Sequence, residues 1–497
     1  MSTVVWGTPQ ARAVLATTIL GSGMAMLDGT IVNVALPAIG DELGASVAGL
    51  QWILDGYLLS LAALILVAGS LGDIFGRRRM FVIGTVWFGL ASLLCGLAPT
   101  TTLLVLARVL QGIGGALLAP GALAILQSAF PRDQRARAIG AWSGLSGVAT
   151  AIGPLVGGLL IQAGSWRLAF LINLPMAAAC VWMALRHVPE SSDPEAARRP
   201  DVLSAVVGAL GLAGVTAALV EAPGLGVTHP LVLVGGIGGL AAMIAFCVLQ
   251  TRRRVPLVPP SLFASRTFVL SNALTLVVYA ALGSIMVLLV LQLQVWLRYS
   301  PTAAGLASLP ITVLMLVLSA RSGKLAQRVG PRLQLVAGPL LIAAGTLMLT
   351  LAVPGASYLT GVLPGLLVFG LGLAAMVAPV TATVLAAAPD RFAGVASGVN
   401  NAVARTGTLL AVAVLPPAVG LTGDAYTDPA AMTAAWQVAL VVCAVLTALG
   451  GVLALGIDNS ALGTGEPAEV AEQPRPGECL ACGVEGPPTH IRARMNK

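Results

Sequence analysis

The chain has 497 residues, of which 57% are hydrophobic and only 9% are charged, and its mean hydropathy is +0.93. Soluble domains carry about 25% charged residues, so the composition excludes a soluble globular protein and indicates a polytopic membrane protein. The net charge of +7 does not indicate nucleic-acid binding. The arginines lie in short loops between the spans, where they orient the protein in the membrane. We expect no cleavable signal peptide, since the first apolar run is far longer than a signal-peptide core.

Fourteen apolar runs are long enough to cross a membrane, which takes about 20 such residues. They give a six-span N-terminal half (residues 1–187), a segment with two further spans (188–267), a six-span C-terminal half (268–456) and a cytoplasmic tail (457–497). The tail lacks hydrophobic periodicity, and we expect it to be disordered. The predicted spans are residues 14–38, 47–70, 80–98, 102–126, 137–162, 168–187, 202–221, 231–250, 268–296, 302–321, 332–353, 358–384, 392–419 and 433–456.

The basic residues indicate how the spans are oriented. They collect in every second loop, beginning with Arg77, Arg78 and Arg79 between the second and third spans, whereas the other loops hold mainly acidic groups such as Asp41 and Glu42. Loops rich in Lys and Arg stay in the cytoplasm. The sequence therefore predicts a multi-pass protein of the cell membrane with both termini in the cytoplasm.

The first span carries an acidic residue within the stretch Leu27–Pro37. A carboxylate such as Asp28 costs about 2.5–3.5 kcal/mol in the hydrocarbon, so it normally faces the protein interior and marks a functional path. The alternative, that Asp28 reaches water from a helix end, is less favoured because the aspartate side chain is short. Asn33, on the same span, is a candidate for lining a cavity.

Two further charges fall at the depth of Asp28. At 1.5 Å per residue, Asp28 lies about 21 Å from the cytoplasmic end of its span, while Arg108 and Asp55 lie about 8–12 Å from the outer ends of theirs. In a core of about 30 Å these groups are level, and we expect Asp28, Asp55 and Arg108 to form a proton-binding cluster. The alternative is that Arg108 snorkels to the interface from a helix-packing face. Gln111, one turn beyond Arg108, is a second cavity candidate.

The loop between the second and third spans, residues 69–79, reads Gly-Ser-Leu-Gly-Asp-Ile-Phe-Gly-Arg-Arg-Arg. Three arginines alone would only mark topology, but the full spacing resembles the signature loop of the major facilitator superfamily. A weaker copy stands at residues 322–332, with Gln327 in the acidic place. In the family the loop is thought to form a cytoplasmic latch between two halves. The resemblance implies that role for Gly69, Asp73, Gly76, Arg77 and Arg78, and an ionic role for Asp73 alone.

The fifth span carries a second resemblance. Gly147, Gly153, Pro154, Gly157 and Gly158 are similar to the motif that marks exporters within this superfamily, although ordinary small-residue packing is an alternative.

Four stretches point to a branch of the superfamily. Leu27–Pro37 and residues 51–57, 166–175 and 393–407 resemble the fourteen-span drug/proton antiporter branch. In the last stretch, Asn400 and Arg405 are cavity candidates.

The resemblance covers residues 12–456. It implies an all-α polytopic membrane protein with the major facilitator fold, built from two six-helix halves plus two extra transmembrane helices. It also implies proton-driven efflux of lipophilic drugs or antibiotics by a chain that works as a monomer among membrane lipids, with a proton gradient in place of a cofactor. Two alternatives stay open: a dedicated exporter of one self-made metabolite, and a non-transporting membrane sensor of the same fold.

Other functional classes find little support. The sequence has no HExxH, no Walker loop and no nucleophile beside a base, and its 3 histidines lie near loops or in the tail. Cys479, Cys482 and His490 could supply only three of the four ligands of a structural zinc site. We therefore expect neither an enzyme, nor a metal site, nor a nucleic-acid partner.

Overall fold

The structure is a computed structural model that describes residues 4–192, 201–253, 256–389, 392–421 and 429–462. Within these ranges the chain is helical, and 13 helices are long and apolar enough to cross a membrane. Each predicted span overlaps one helix. The helices are α1 (Pro9–Leu43), α2 (Val47–Phe75), α3 (Arg77–Leu97), α4 (Thr101–Ala129), α5 (Arg132–Gln162), α6 (Leu168–His187), α7 (Val202–Leu225), α8 (Pro230–Arg252), α9 (Arg266–Trp296), α10 (Pro301–Ala307 and Leu309–Val329), α11 (Arg332–Leu351), α12 (Tyr358–Ala386), α13 (Ala393–Ala418) and α14 (Pro429–Ala454).

Two helices are interrupted beside prolines. α6 breaks at Ile172, three residues before Pro175, and α10 breaks at Ser308, two residues before Pro310. Proline has no amide hydrogen and clashes with the preceding turn, so a helix is readily broken there. The short 3₁₀ turn Pro260–Ala264 leads into α9.

Helices α1–α6 pack on one another, as do α9–α14, and the two groups meet along two seams. One seam joins α2 to α13, and the other joins α5 to α10. Hydrogen bonds join the two halves on the side away from the loop at residues 69–79, here named the opposite side. Gln51 Nε2 donates to the carbonyl of Val412 across the first seam (3.3 Å), and Thr302 Oγ1 donates to Gln162 Oε1 across the second (2.5 Å). A third bond, from Gln294 Nε2 to the carbonyl of Val34 (3.1 Å), joins α9 to α1.

The two extra helices form a tight hairpin. A Cβ at Gly239 of α8 would lie 2.6 Å from the amide nitrogen of Val215 in α7, so this close approach requires glycine. α7 packs against both α2 and α13, and Trp52 Nε1 of α2 donates to Glu221 Oε1 of α7 at 2.8 Å. The hairpin therefore covers the α2–α13 seam, with α8 on the outside.

The beginning of the predicted tail is ordered. Ile457 is fully buried in the core of the C-terminal half, and its carbonyl accepts from Arg332 Nε at 2.8 Å. Disorder from residue 457 onward is therefore wrong for residues 457–462, because an apolar side chain and a buried carbonyl anchor them. The rest of the tail, including Cys479, Cys482 and His490, lies outside the described residues.

Candidate functional site

Asp28 and Arg108 form a buried ion pair between α1 and α4. Arg108 Nη1 donates to Asp28 Oδ2 across 2.6 Å, and neither side chain is more than 1% exposed. Gln111, one turn further along α4, donates through Nε2 to Asp28 Oδ1 at 2.8 Å and accepts from Arg108 Nη1 through Oε1 at 2.5 Å. Removing one partner of such a pair leaves an uncompensated buried charge, so the three side chains depend on one another.

Two further polar side chains complete the network around Asp28. Asn173 of α6 donates through Nδ2 to Asp28 Oδ1 at 2.8 Å, and Ser92 of α3 accepts from Gln111 Nε2 at 2.8 Å. Both are fully buried, so helices α1, α3, α4 and α6 all contribute. The sequence analysis singled out neither residue. Asn173 lies within the motif at residues 166–175, which is a usable signal, whereas one serine in an apolar run is not.

Contacts with α2 fix the position of Arg108. Its Nε donates to the carbonyl of Ile53 at 3.1 Å, and its guanidinium carbon lies 4.2 Å from the centre of the Tyr57 ring. The Tyr57 hydroxyl in turn donates to the carbonyl of Ala25 in α1 at 3.3 Å. A cation over an aromatic face is attracted to it, so Tyr57 holds the arginine against α2.

Asp55 does not join this network, and the predicted three-membered cluster is wrong in that respect. The Asp55 side chain is fully buried, but among the described residues neither carboxyl oxygen has a hydrogen-bond partner and no ion pair is formed with it. Depth was a sound guide, but depth does not fix the face of a helix. Tyr57 is the α2 side chain that contacts Arg108, and Asp55, two positions away, points about 200° around the helix from it.

The signature loop is held together within the N-terminal half. Arg77 donates through Nε and Nη2 to Asp73 Oδ1, at 2.9 and 2.7 Å. The backbone amides of Arg78 and Arg79 donate to the carboxylate of Glu190, which follows α6. A carboxylate is favourable at the first turn of a helix, here α3, because the free amides there carry partial positive charge. The sequence analysis missed Glu190, and a latch between the halves stays a prediction.

The second loop repeats this arrangement in the C-terminal half. Gly76 and Gly330 both have positive φ, at 103° and 86°, which favours glycine. The amide of Arg332 donates to Asn459 Oδ1 at 3.1 Å, as that of Arg78 does to Glu190 Oε1. The two loops thus share one geometry, with an amide replacing the carboxylate. Beside Asn459, hydrogen bonds from the Ser460 backbone and hydroxyl lower the pKa of the exposed Asp458.

The exporter motif lies where α5 touches α1 and α10. A Cβ at Gly153 would overlap Thr30 of α1, and one at Gly157 would lie 3.2 Å from the Cα of Ile31. On the other side of α5, a Cβ at Gly158 would lie 2.5 Å from the carbonyl of Pro301 in α10. Pro154 contacts α10 too, because its carbonyl abuts Gly305. Gly147 lies within the same helix. The motif therefore permits close packing of α5 within its own half and across the seam.

The signature-loop glycine and the remaining cavity candidates are scattered. A Cβ at Gly69 would lie 3.9 Å from the Cβ of Pro120 in α4, and Asn33 is half-buried on α1 outside the Asp28 network. Asn400 donates to Asn272 and Thr275 of α9 and so joins two helices of one half. Arg405 is half-buried on α13, and no ion pair is seen for it among the described residues.

Two packed bundles of six helices, a buried ion pair inside one of them and two seams between them define the class of membrane transporters. The family model of the Major Facilitator Superfamily matches residues 18–411. The chain belongs to that superfamily, as the signature loop predicted, and it is a multi-pass membrane protein of the transporter class with the expected all-α fold.

Two relatives and one solved structure illustrate the similarity. The multidrug resistance protein Stp of Mycobacterium tuberculosis (strain CDC 1551 / Oshkosh) is 35% identical over 416 residues, covering 84% of this chain and 77% of the relative. The tetracenomycin C resistance and export protein of Streptomyces glaucescens is 35% identical over 82% of this chain and 76% of its own. A bacterial homologue of the human lysosomal transporter Spinster, inward-facing and unoccupied, has a TM-score of 0.60 at 19% identity, covering 92% of this chain and 98% of that chain. At that identity the structural likeness shows the fold alone.

Proposed function

We propose that this protein exports lipophilic drugs or antibiotics across the cell membrane in exchange for protons. The observation that carries the proposal is the buried Asp28–Arg108 pair, since an ionisable group at this depth marks a proton or substrate path. Relatives named for multidrug resistance and for antibiotic export support the direction of transport and the substrate class. The close packing of Gly153 and Gly158 is consistent with the resemblance to the exporter motif.

Asp28 is the proposed proton carrier. Arg108, Gln111 and Asn173 all donate to its carboxylate and favour the ionised form, whereas burial favours the neutral acid. A movement that draws Arg108 away would remove the main support for the charge and let Asp28 take up a proton. Since Arg108 rests on Ile53 and Tyr57 of α2, a shift of that helix is the natural way to move it.

The orientation proposed is that of the basic loops in the cytoplasm. The opposite side then faces outward, and the hydrogen bonds between the two halves close the protein to the outside. The chain is proposed to act as a monomer in lipid, driven by the proton gradient without a cofactor.

The test is proton release from everted membrane vesicles with an acidic interior. Lipophilic cations, neutral antibiotics and acids are added one at a time to vesicles with wild-type protein or Asp28→Asn. An exporter moves each substrate inward and protons outward, so wild type should collapse the gradient and Asp28→Asn should not. The matched control is Asp41→Asn, an exposed carboxylate on the same helix, which should behave as wild type. Equal gradient collapse by wild type and Asp28→Asn would refute the proposed carrier.

A dedicated exporter of one compound is the second candidate. The tetracenomycin C relative is named for resistance to and export of a single antibiotic. The same panel separates the two readings, because a multidrug exporter responds to several unrelated compounds and a dedicated one to a single chemical class. If no compound in the panel collapses the gradient in wild-type vesicles, the result would instead favour a membrane sensor that has this fold but does not transport.

A further inference from the structure

Asp55 is a buried carboxyl group without a partner at the joint between the two halves. Its side chain has no exposure, and within the part of the chain that the structure describes neither of its oxygens has a hydrogen-bond partner. It stands four residues after Gln51 on α2, and Gln51 donates to the Val412 carbonyl of α13. Residues at i and i+4 share one face of a helix, so Asp55 lies on the face of α2 that packs against α13.

Apolar contacts close the seam next to Asp55. Ala62, two turns further along the same face of α2, forms a buried cluster with Leu409 of α13 and Leu212 of α7. Beyond it, Leu66 approaches Gly398 of α13, where a Cβ would lie 3.3 Å away. Asp55 therefore lies between the Gln51 hydrogen bond and an apolar cluster to which the extra helix α7 contributes a side chain.

The charged groups on the surrounding helices do not reach Asp55. Arg405 on α13 has no ion pair among the described residues, and Glu221 on α7 accepts from Trp52. Arg108 on α4 is engaged by Asp28 of α1. An ionised carboxylate without a partner is far more costly to bury than a neutral acid. The closed seam is therefore compatible only with a protonated Asp55.

We propose that Asp55 is a proton-operated lock: the α2–α13 seam closes on the opposite side when Asp55 carries a proton and parts when it releases that proton. One proton passes from the carboxylic acid to water entering the parted seam and returns when the seam closes. Helix α7 covers the seam and so shields Asp55 from its surroundings while the seam is closed. The inference rests on the proposed proton-coupled function and gives Asp55 a task separate from that of Asp28.

The proposed lock can be tested by double electron–electron resonance, which measures the distance between two spin labels, on the full chain in lipid nanodiscs. Nitroxide labels at Leu103→Cys in α4 and Leu359→Cys in α12, both exposed on the opposite side, report the separation of the halves after the native cysteines are replaced. In wild type, raising the pH from about 5 to 9 should lengthen the distance. The ratio of open to closed molecules should rise by up to about tenfold per pH unit, the limit for one proton.

Three variants decide the outcome. Asp55→Asn, a neutral mimic of the acid, should stay closed at every pH, and Asp55→Ala should do the same if the asparagine variant does not fold. Gln51→Ala removes a seam hydrogen bond without a titrating group, so it should favour opening at all pH values and keep the wild-type slope.

Two results would overturn the lock. One is a wild-type pH slope in both Asp55 variants, and the other is a wild-type distance that does not change with pH. The measurement uses no transported compound, so its failure is distinguishable from that of the proposed function. If the seam responds to pH but no compound collapses the gradient in vesicles, the transport assignment fails and the lock stands.

Discussion

At the scale of single residues, the same charge has different consequences in different surroundings. Asp28 accepts hydrogen bonds from an arginine and two amides, whereas Asp55, on the next helix, accepts none. Hydrogen-bond donors stabilise the charged form of a carboxyl group, and burial without donors destabilises it. The two aspartates of this half therefore have different electrostatic surroundings.

The network predicts that Arg108 stabilises the fold only because Asp28 is there. Arg108→Ala should lower the free energy of unfolding by about 3–5 kcal/mol, the usual cost of orphaning a buried charge, and should abolish transport. The double variant with Asp28→Asn should recover much of that stability, because no unpaired charge remains. Thermal unfolding in detergent measures both effects, and a double variant no more stable than Arg108→Ala would contradict the coupling.

At the scale of helices, apolar length alone located most of the structure. Every predicted span overlaps a helix. A run of about 20 apolar residues has the length and composition of a helix that crosses the membrane. The Asp28–Arg108 contact followed from depth, which the 1.5 Å rise fixes. The position of Asp55 did not follow, because depth says nothing about which neighbour a helix face meets. Glu190 was missed as well, since its partners are backbone amides more than 100 positions away in sequence.

The packing of α5 predicts strict size limits at one glycine. In Gly158→Ala the new methyl group would meet the backbone of Pro301, which cannot rotate away as a side chain could. We expect α5 and α10 to separate, a loss of stability of about 1–3 kcal/mol, typical of overpacking, and weaker transport. Gly140→Ala on the same helix is the control, because nothing lies within 4 Å of its added methyl. Thermal unfolding and vesicle transport should differ between the two, and equal behaviour would contradict the close contact.

At the scale of the whole molecule, the two halves are built alike and end alike. In each half, the residues that follow the last helix return to the loop after the second helix and bind its backbone. Asn459 thereby matches Glu190 in position. The segment that follows α14 is therefore a structural part of the C-terminal half.

This correspondence predicts where the chain can be shortened. Deleting residues from Gly465 onward should leave transport in vesicles unchanged, since the anchoring contacts of Ile457 and Asn459 remain. Deleting from Ile457 onward removes both contacts and should lower the melting temperature and the transport rate. Loss of transport in the shorter deletion would show that the far tail has a function of its own.

Acidic residues are distributed unevenly between these similar halves. From residue 266 to residue 389 the sequence has no Asp or Glu, and Arg405 carries a fixed positive charge deep within α13. Any rocking of the C-terminal half carries this charge through part of the electric field across the membrane. A full crossing corresponds to about 2.3 kcal/mol per 100 mV, and a partial one to that fraction. Under the proposed proton-coupled mechanism, we therefore expect the membrane voltage as well as the proton concentration to determine which way the protein faces.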